Sequence, residues 1–161
     1  IPVATSIAES RAQVERIARL AGREAQGRDL LARIDAALAR AVPPSGWRTV
    51  PAIVWQSGGI VPGDGSLIAD LLRSTGYANS AAARGLGQAD YLPLEAVLAD
   101  PPRLLLIAGD AYSDEDRLLS HPALAGLRGT HRARLDASLL WCGGPTIIRA
   151  TERLAKVRET L

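Results

Sequence analysis

The stretch Tyr91–Asp110, YLPLEAVLADPPRLLLIAGD, decides the fold together with Gly63–Asn79, GDGSLIADLLRSTGYAN. The first stretch predicts a short helix, a Pro-Pro break and a buried apolar strand that ends in Gly-Asp. The second predicts a Gly-rich turn and then a helix with Ile68, Leu71 and Leu72 on one face. Together they form consecutive α/β units, and open α/β sheets bind ligands at the loops that follow their strands. The two stretches therefore predict a lobe that holds a ligand.

The α/β pattern continues on both sides of these stretches. A strand is predicted over Arg48–Trp55, where Pro51 indicates an edge or a bulge because it lacks a ladder donor. Another strand is predicted over His131–Leu135, and a terminal helix begins near Pro145 at a favourable first position. The remaining predictions are helices over Gly65–Thr75, Leu94–Ala99, Asp114–Ser120 and Ala123–Leu127, a connection over Ala78–Asp90 and a central strand over Leu104–Ala108. The predicted fold class is α/β, a three-layer lobe with a mostly parallel central sheet.

The first 42 residues are predicted to form a helical arm. Ser6 and Glu9 fit a capping box, in which the serine hydroxyl accepts from the third amide and the glutamate reaches back. A second helix is predicted over Glu24–Ala41, and Pro43-Pro44-Ser45-Gly46 then breaks the chain. We therefore expect one unit over residues 1–42 and a compact lobe over residues 43–161.

Composition restricts the possible partners. Apolar residues make up 47% of the 161 residues and include no Phe or Met, so the core must be aliphatic. The 19 basic and 17 acidic residues are interleaved, and without a block of like charges a nucleic-acid partner is not expected. No apolar run approaches the roughly 20 residues that cross a bilayer. The single cysteine excludes an internal disulfide, and the missing initial Met leads us to expect a processed or truncated chain.

Catalytic and metal-binding arrangements are poorly supported. Ser66, His121 and Asp110 could be combined into a triad, but no G-x-S-x-G elbow is present and both Ser66 and His121 suit helix caps. Two histidines ten residues apart and one cysteine fall short of a zinc pattern. Cys142 precedes two glycines and a helix, where an anion or a reactive thiol could lie, although a tight turn is the favoured interpretation. A small α/β enzyme or chelatase-like domain that uses Cys142 remains the alternative function.

The few aromatic residues are better placed for binding. Four of the six, Trp55, Tyr91, Tyr112 and Trp141, fall at or beyond a strand end or just before a helix. Amphipathic rings along one edge of a sheet suit a ligand cleft with apolar walls, whereas ordinary packing is the simpler explanation for each ring alone. Four together favour the cleft.

Several stretches of the chain resemble a known family. PGDGSLIADLLRSTGYANSA, LPLEAVLADPPRLLLIAGD, HPALAGL and WCGGPTIIRATERLA resemble the periplasmic substrate-binding proteins of ABC importers for iron-siderophore complexes and cobalamin. The N-terminal SIAESRAQVERIARLAGREAQGRDLLARIDAALA is similar to that family's last N-lobe helix followed by the interlobe helix. The resemblance implies the C-terminal half of such a protein, with an N-terminal lobe expected before Ile1. Two departures are Arg103, where the family usually has Asp, and Tyr77, which replaces a common Gly.

The resemblance also implies a function. A metal chelate, either a ferric siderophore or a corrinoid, would be held between two lobes with little hinge motion and delivered to the permease subunits. Glu95 matches the C-lobe glutamate that contacts the permease. We expect no enzyme activity, no cofactor, no protein-bound metal and a periplasmic or lipid-anchored extracytoplasmic location.

Two further properties are expected of the fragment. With half the cleft missing it should bind ligand poorly, and the uncovered apolar stripe of its first helix should favour self-association.

The expected ligand-binding residues lie in four short segments. They are Trp55, Gln56, Ser57, Gly59, Tyr91, Gly109, Asp110, Tyr112 and Trp141.

Overall fold

Helices and parallel strands alternate along most of the chain in the computed structural model, which describes residues 2–109, 119–140 and 143–161. The α-helices are α1 (Ile7–Leu20), α2 (Glu24–Ala41), α3 (Leu67–Ser74), α4 (Ser80–Ala83), α5 (Leu94–Ala99) and α6 (Thr146–Arg158). The strands are β1 (Val50–Gln56), β2 (Ile60–Val61), β3 (Tyr77–Asn79), β4 (Asp90–Tyr91), β5 (Leu104–Ala108) and β6 (His131–Leu135). Short 3₁₀ turns cover Ser57–Gly59, Pro122–Gly126 and Ala137–Leu139.

Four of the strands form one parallel sheet in the order β3-β1-β5-β6. In its register Gln56 of β1 lies beside Ala108 of β5, which in turn lies beside Leu135 of β6. The carboxyl ends of these three strands therefore meet at one edge of the sheet. A separate antiparallel ribbon joins β2 to β4. The predicted α/β class with a mostly parallel central sheet is confirmed.

Buried side chains fill both faces of the sheet and make it the middle of three layers. On one face Val54 and Leu106 pack with Ile34 of α2 and with residues of α3 and α6. On the other face Ile53 and Leu105 pack with residues of α4, α5 and the 3₁₀ turn after His121. This two-sided burial explains why β5 is a nearly continuous apolar run, since a central parallel strand has no solvent face.

The position of β1 differs from the prediction. Pro51 indicated an edge or a bulge, and the edge alternative is wrong because β1 lies between β3 and β5. Pairing with β5 begins only at Ala52, one residue after Pro51, so the missing N–H lies outside that ladder. The edge strand beside β1 is β3, whose last two residues fall in the predicted connection over Ala78–Asp90. Its three residues are too few to show a clear period of two.

The two N-terminal helices pack on the lobe. Ser6 caps α1 by accepting from Glu9 N at 3.1 Å, as predicted, but the Glu9 carboxylate accepts from the N–H and hydroxyl of Thr5 instead of from Ser6. These hydrogen bonds lower the pKa of Glu9. The Ile7 N–H donates to Asp70 Oδ2 at 2.9 Å and ties α1 to α3, while Ile34 of α2 is fully buried in the first core.

Several other predicted elements are confirmed within the described residues. The helix Leu94–Ala99 and the strands Leu104–Ala108 and His131–Leu135 have the predicted bounds. The predicted helix over 123–127 is a 3₁₀ turn, and the predicted helix over 114–120 lies almost wholly outside the described residues. None of the described helices is long and apolar enough to cross a membrane.

Candidate ligand-binding site

The carboxyl edge of the sheet brings together residues from three loops. Gln56 ends β1 and continues into the 3₁₀ turn that starts at Ser57, and Gly109 follows β5. Because Gln56 and Ala108 are neighbours in the sheet, the chain leaves both strands at the same level. Gln56, Ser57 and Gly109 are each partly exposed, so these predicted site residues lie together on an accessible edge.

Trp55 is placed differently from the prediction. Its side chain is fully buried, and the indole N–H donates to Leu92 O at 3.1 Å. Alternation along β1 gives Trp55 the same sheet face as Ile53, and that face is covered by α4 and α5. The ring therefore belongs to the second core and leaves no surface with which to wall a ligand. As a cleft-lining ring, Trp55 is a wrong assignment.

Tyr91 lies on the ribbon beside this edge and is 60% exposed. Its cross-strand neighbour is Ile60, which is 44% exposed, so the two side chains form an apolar surface on β2 and β4. Gly59 supports the ring: at φ +82° it accepts a hydrogen bond from Leu92 N, and a Cβ there would lie 2.6 Å from Tyr91 Cε2. The structure thus brings Gly59 and Tyr91 into direct contact.

A groove of about 440 Å³ runs from Gln56 towards the N-terminal segment. Its walls come from α1, the start of α3 with the loop before it, and the segment before α6. They are mainly apolar, with Ser66 and three glutamines, Gln13, Gln56 and Gln88, as polar side chains. This composition is typical of small-molecule sites, where a few polar groups orient a ligand on apolar walls.

A second hollow, of about 510 Å³, opens on the other side of Gly109. It is lined by Arg134 at the end of β6 and Arg153 of α6, together with Asp136. The sequence analysis did not find this arginine pair because the two residues are 19 positions apart and meet only through the packing of α6 beside β6. The position of Arg134 at a predicted strand end was the one available signal.

Several residues of the sequence hypotheses cannot be placed. Asp110, Tyr112, Trp141 and Cys142 lie outside the described residues, so their site roles stay predictions. Glu95 is exposed in the first turn of α5 and makes no hydrogen bond or ion pair with the described part of the chain.

The residues considered for other chemistry have structural roles. Ser66 caps α3 by accepting from Ala69 N, and His121 Nδ1 accepts from Ala123 N. The glycines before α6 form a close contact: Gly144 N donates to Ser10 Oγ at 2.7 Å, which favours the tight-turn interpretation over an anion site. Within residues 2–109, 119–140 and 143–161, no three His, Cys, Asp or Glu side chains are grouped as metal ligands.

Residues 2–134 match the family described as periplasmic binding protein, and the chain belongs to that family. The predicted family is therefore confirmed. The family, like solved heme-binding proteins of the same fold, consists of substrate-binding proteins and not enzymes, as expected from the sequence. No curated protein matches the chain.

Solved structures with the same fold have low sequence identity. A protein of an Fe³⁺-hydroxamate transport system from Saccharomonospora viridis is 22% identical with a TM-score of 0.78, over 96% of this chain and 57% of that one. The periplasmic heme-binding protein BhuT, solved with two hemes, is 21% identical with a TM-score of 0.69, over 95% and 64%. A periplasmic heme-binding protein from Pseudomonas aeruginosa is 21% identical with a TM-score of 0.67, over 94% and 60%. The chain thus spans less than two thirds of these relatives.

Proposed function

We propose that this chain is the C-terminal lobe of a solute-binding component of an ABC importer and that it contacts a metal chelate at the carboxyl edge of its sheet. The observation that carries the proposal is the exposed pair Tyr91 and Ile60 beside Gln56 and Ser57, at the edge where α/β sheets bind ligands. Ferric siderophore and heme are the favoured chelates, because similar folds carry those names; a corrinoid is the further candidate.

The surface around Tyr91 suits a bulky, partly flat ligand. Its ring rests on the backbone of Gly59, which has no side chain to separate them, so the ring has little freedom to turn away. A fixed aromatic ring beside an aliphatic side chain can stack on a macrocycle or on the apolar arms of a chelate. The neighbouring groove of about 440 Å³ would accept further parts of the ligand.

Binding of three chelates tests the proposal: ferrioxamine B, hemin and cyanocobalamin, each followed by quenching of the chain's tryptophan fluorescence. We expect weak binding of at least one, because only one side of a two-lobed cleft is present. Tyr91→Ala should weaken it about two- to ten-fold, the range for one aromatic contact. Val42→Ala, which truncates another exposed apolar side chain outside the site, is the matched control. Binding of none of the three, or equal binding by Tyr91→Ala, would contradict the proposal.

The permease is the proposed macromolecular partner, and Glu95 is the proposed contact. Its carboxylate is exposed and unpaired within the described residues, so it is available to an arginine of another chain. The family implies an extracytoplasmic location; we propose that the protein works either free in the periplasm or held by a lipid anchor.

The outer surface of α1 is the proposed site of self-association. Ile17 and Leu20 of α1 are 49% and 75% exposed, and Val3, which precedes α1, is 76% exposed. A largely apolar hollow of about 470 Å³ lies between α1, α2 and the turn before α6. Exposed apolar surface of this kind favours association in water.

A further inference from the structure

The arginine pair beside Gly109 is held in place by neutral backbone groups. Arg153 donates from Nε and Nη2 to Arg134 O at 3.0 and 2.6 Å, and Arg134 Nη2 donates to Gly109 O at 3.4 Å. A guanidinium has several N–H donors in a rigid fork, and most donors of both groups make no hydrogen bond to the described residues. These contacts position the two cations without neutralising them, because backbone carbonyls carry no net charge.

The nearby carboxylate does not neutralise the pair either. Asp136 accepts from Ser138 N at 2.8 Å and lies 3.9 Å from Arg149. Hydrogen bonding to Ser138, with a smaller effect of the Arg149 charge, lowers the pKa of Asp136. In the described part of the chain neither Arg134 nor Arg153 has an ion-pair partner. Among the described residues that line the hollow, two are cationic and one is anionic, and like charges held together favour an anion between them.

The location of the hollow connects it to the proposed ligand surface. Gly109 continues β5, and Ala108 lies beside Gln56 in the sheet, so the arginines and the Gln56–Ser57 turn open on the same carboxyl edge. Arg134 is exposed and Arg153 is half-buried, an arrangement that keeps the fork accessible while restricting its motion.

We propose that Arg134 and Arg153 form an anion subsite that binds a carboxylate of the ligand, so that the chelate carried by this protein is a carboxylate-bearing one. This inference rests on the proposed function, because the subsite lies on the same sheet edge. Arginine forks bind carboxylates through paired, charge-assisted hydrogen bonds, which gives both orientation and affinity.

The first experiment compares two probes that differ only in their carboxylates: hemin and hemin dimethyl ester, titrated against the 161-residue chain. Hemin should bind about ten-fold more tightly than the ester, and its advantage should shrink with added salt. Arg134→Gln with Arg153→Gln should abolish that advantage. The matched control is Arg103→Gln with Arg128→Gln, which removes the same charge from exposed positions at the opposite ends of β5 and β6. Equal binding of the two probes by the unmodified chain, or equal loss in the control, overturns the subsite.

The second experiment needs no chelate. Because Arg153 Nε donates to a backbone carbonyl, its ¹⁵N–¹H signal should be observable, and succinate should shift it in the unmodified chain but not shift signals near Arg103. Succinate binding without chelate binding would leave the subsite standing and refute the proposed function. Chelate binding with no succinate effect and no preference for hemin would refute the subsite alone. If acidic side chains of the chain itself neutralise the pair, the succinate shift is absent and the proposal is overturned.

Discussion

At the scale of single residues, Tyr77 shows how a large aromatic side chain directly after a glycine is accommodated. It is 1% exposed and lies in the first core. Its hydroxyl donates to Leu154 O at 2.8 Å and so ties β3 to α6. Burial raises the pKa of Tyr77 to about 12, an effect that the charges of Arg158 and Arg153 partly offset.

Tyr77→Phe should change the alkaline stability of the protein. Below about pH 10 the tyrosine is neutral in both the folded and the unfolded chain, whereas between about 10 and 12 only the unfolded chain ionises. The free energy of unfolding should therefore fall by up to about 3 kcal/mol across that range, and the variant should lack this part of the fall. Urea unfolding at a series of pH values measures it. Tyr91→Phe, at an exposed ring, should keep the full decrease, and an unchanged profile for Tyr77→Phe would contradict the assignment.

At the scale of elements, the loop before α3 depends on a close backbone contact. Gly63 N donates to Gly87 O at 2.8 Å, and Asp64 N donates to Leu86 O at 2.9 Å. A Cβ on Gly63 would lie 2.0 Å from Leu86 O. The φ of Gly63 is not in the left-handed region, so its backbone conformation does not require glycine. Glycine is needed in this predicted Gly-rich turn because the backbone of residues 86–87 leaves no room for a Cβ.

Gly63→Ala should consequently destabilise the protein by about 1–3 kcal/mol, the usual cost of overpacking. The backbone carbonyls it meets cannot move without breaking the two hydrogen bonds that join this loop to residues 86–87. Gly126→Ala is the control, since a Cβ there meets nothing within 4 Å and φ is not positive. Thermal and urea unfolding compare the two variants. Equal free energies of unfolding for Gly63→Ala and Gly126→Ala would contradict the need for glycine at position 63.

At the scale of the whole molecule, the exposed apolar residues of α1 are the basis of the proposed self-association. Ile17→Glu with Leu20→Glu should remove self-association, because each change places a charge in the exposed apolar stripe. Light scattering over a concentration series measures the mass, with Val42→Glu as the control at an exposed apolar position outside α1. A chain that is monomeric before any substitution would refute the proposed association.

The proposed contact with the permease also belongs to the scale of the whole molecule. Glu95→Arg should leave chelate binding unchanged and impair uptake by the proposed importer. The new side chain would carry the same positive charge as the permease arginine that is proposed to contact Glu95. Exposed ion pairs are worth about 0–1 kcal/mol, so the main effect should be on the rate and register of docking. Transport into proteoliposomes tests this, with Glu159→Arg as a matched exposed control. Uptake equal to that of the unmodified protein would remove Glu95 from the interface.

The sequence by itself determined the elements whose signals are local. The helix Leu94–Ala99, the strands Leu104–Ala108 and His131–Leu135 and the cap at Ser66 follow from apolar runs, prolines and short-range hydrogen bonding. These patterns also determined the α/β class, and the family resemblance followed from their order.

Only the tertiary structure decided which side chains are accessible at the carboxyl edge of the sheet. Trp55 ends the predicted strand, as a binding residue would, but two-residue alternation and the helices on that face bury it. Arg134 and Arg153 carry no shared local pattern, yet the packing of α6 beside β6 brings them together. Local patterns report the conformation of a segment, whereas a site depends on which surfaces its neighbours leave open, and that follows from packing across the whole lobe.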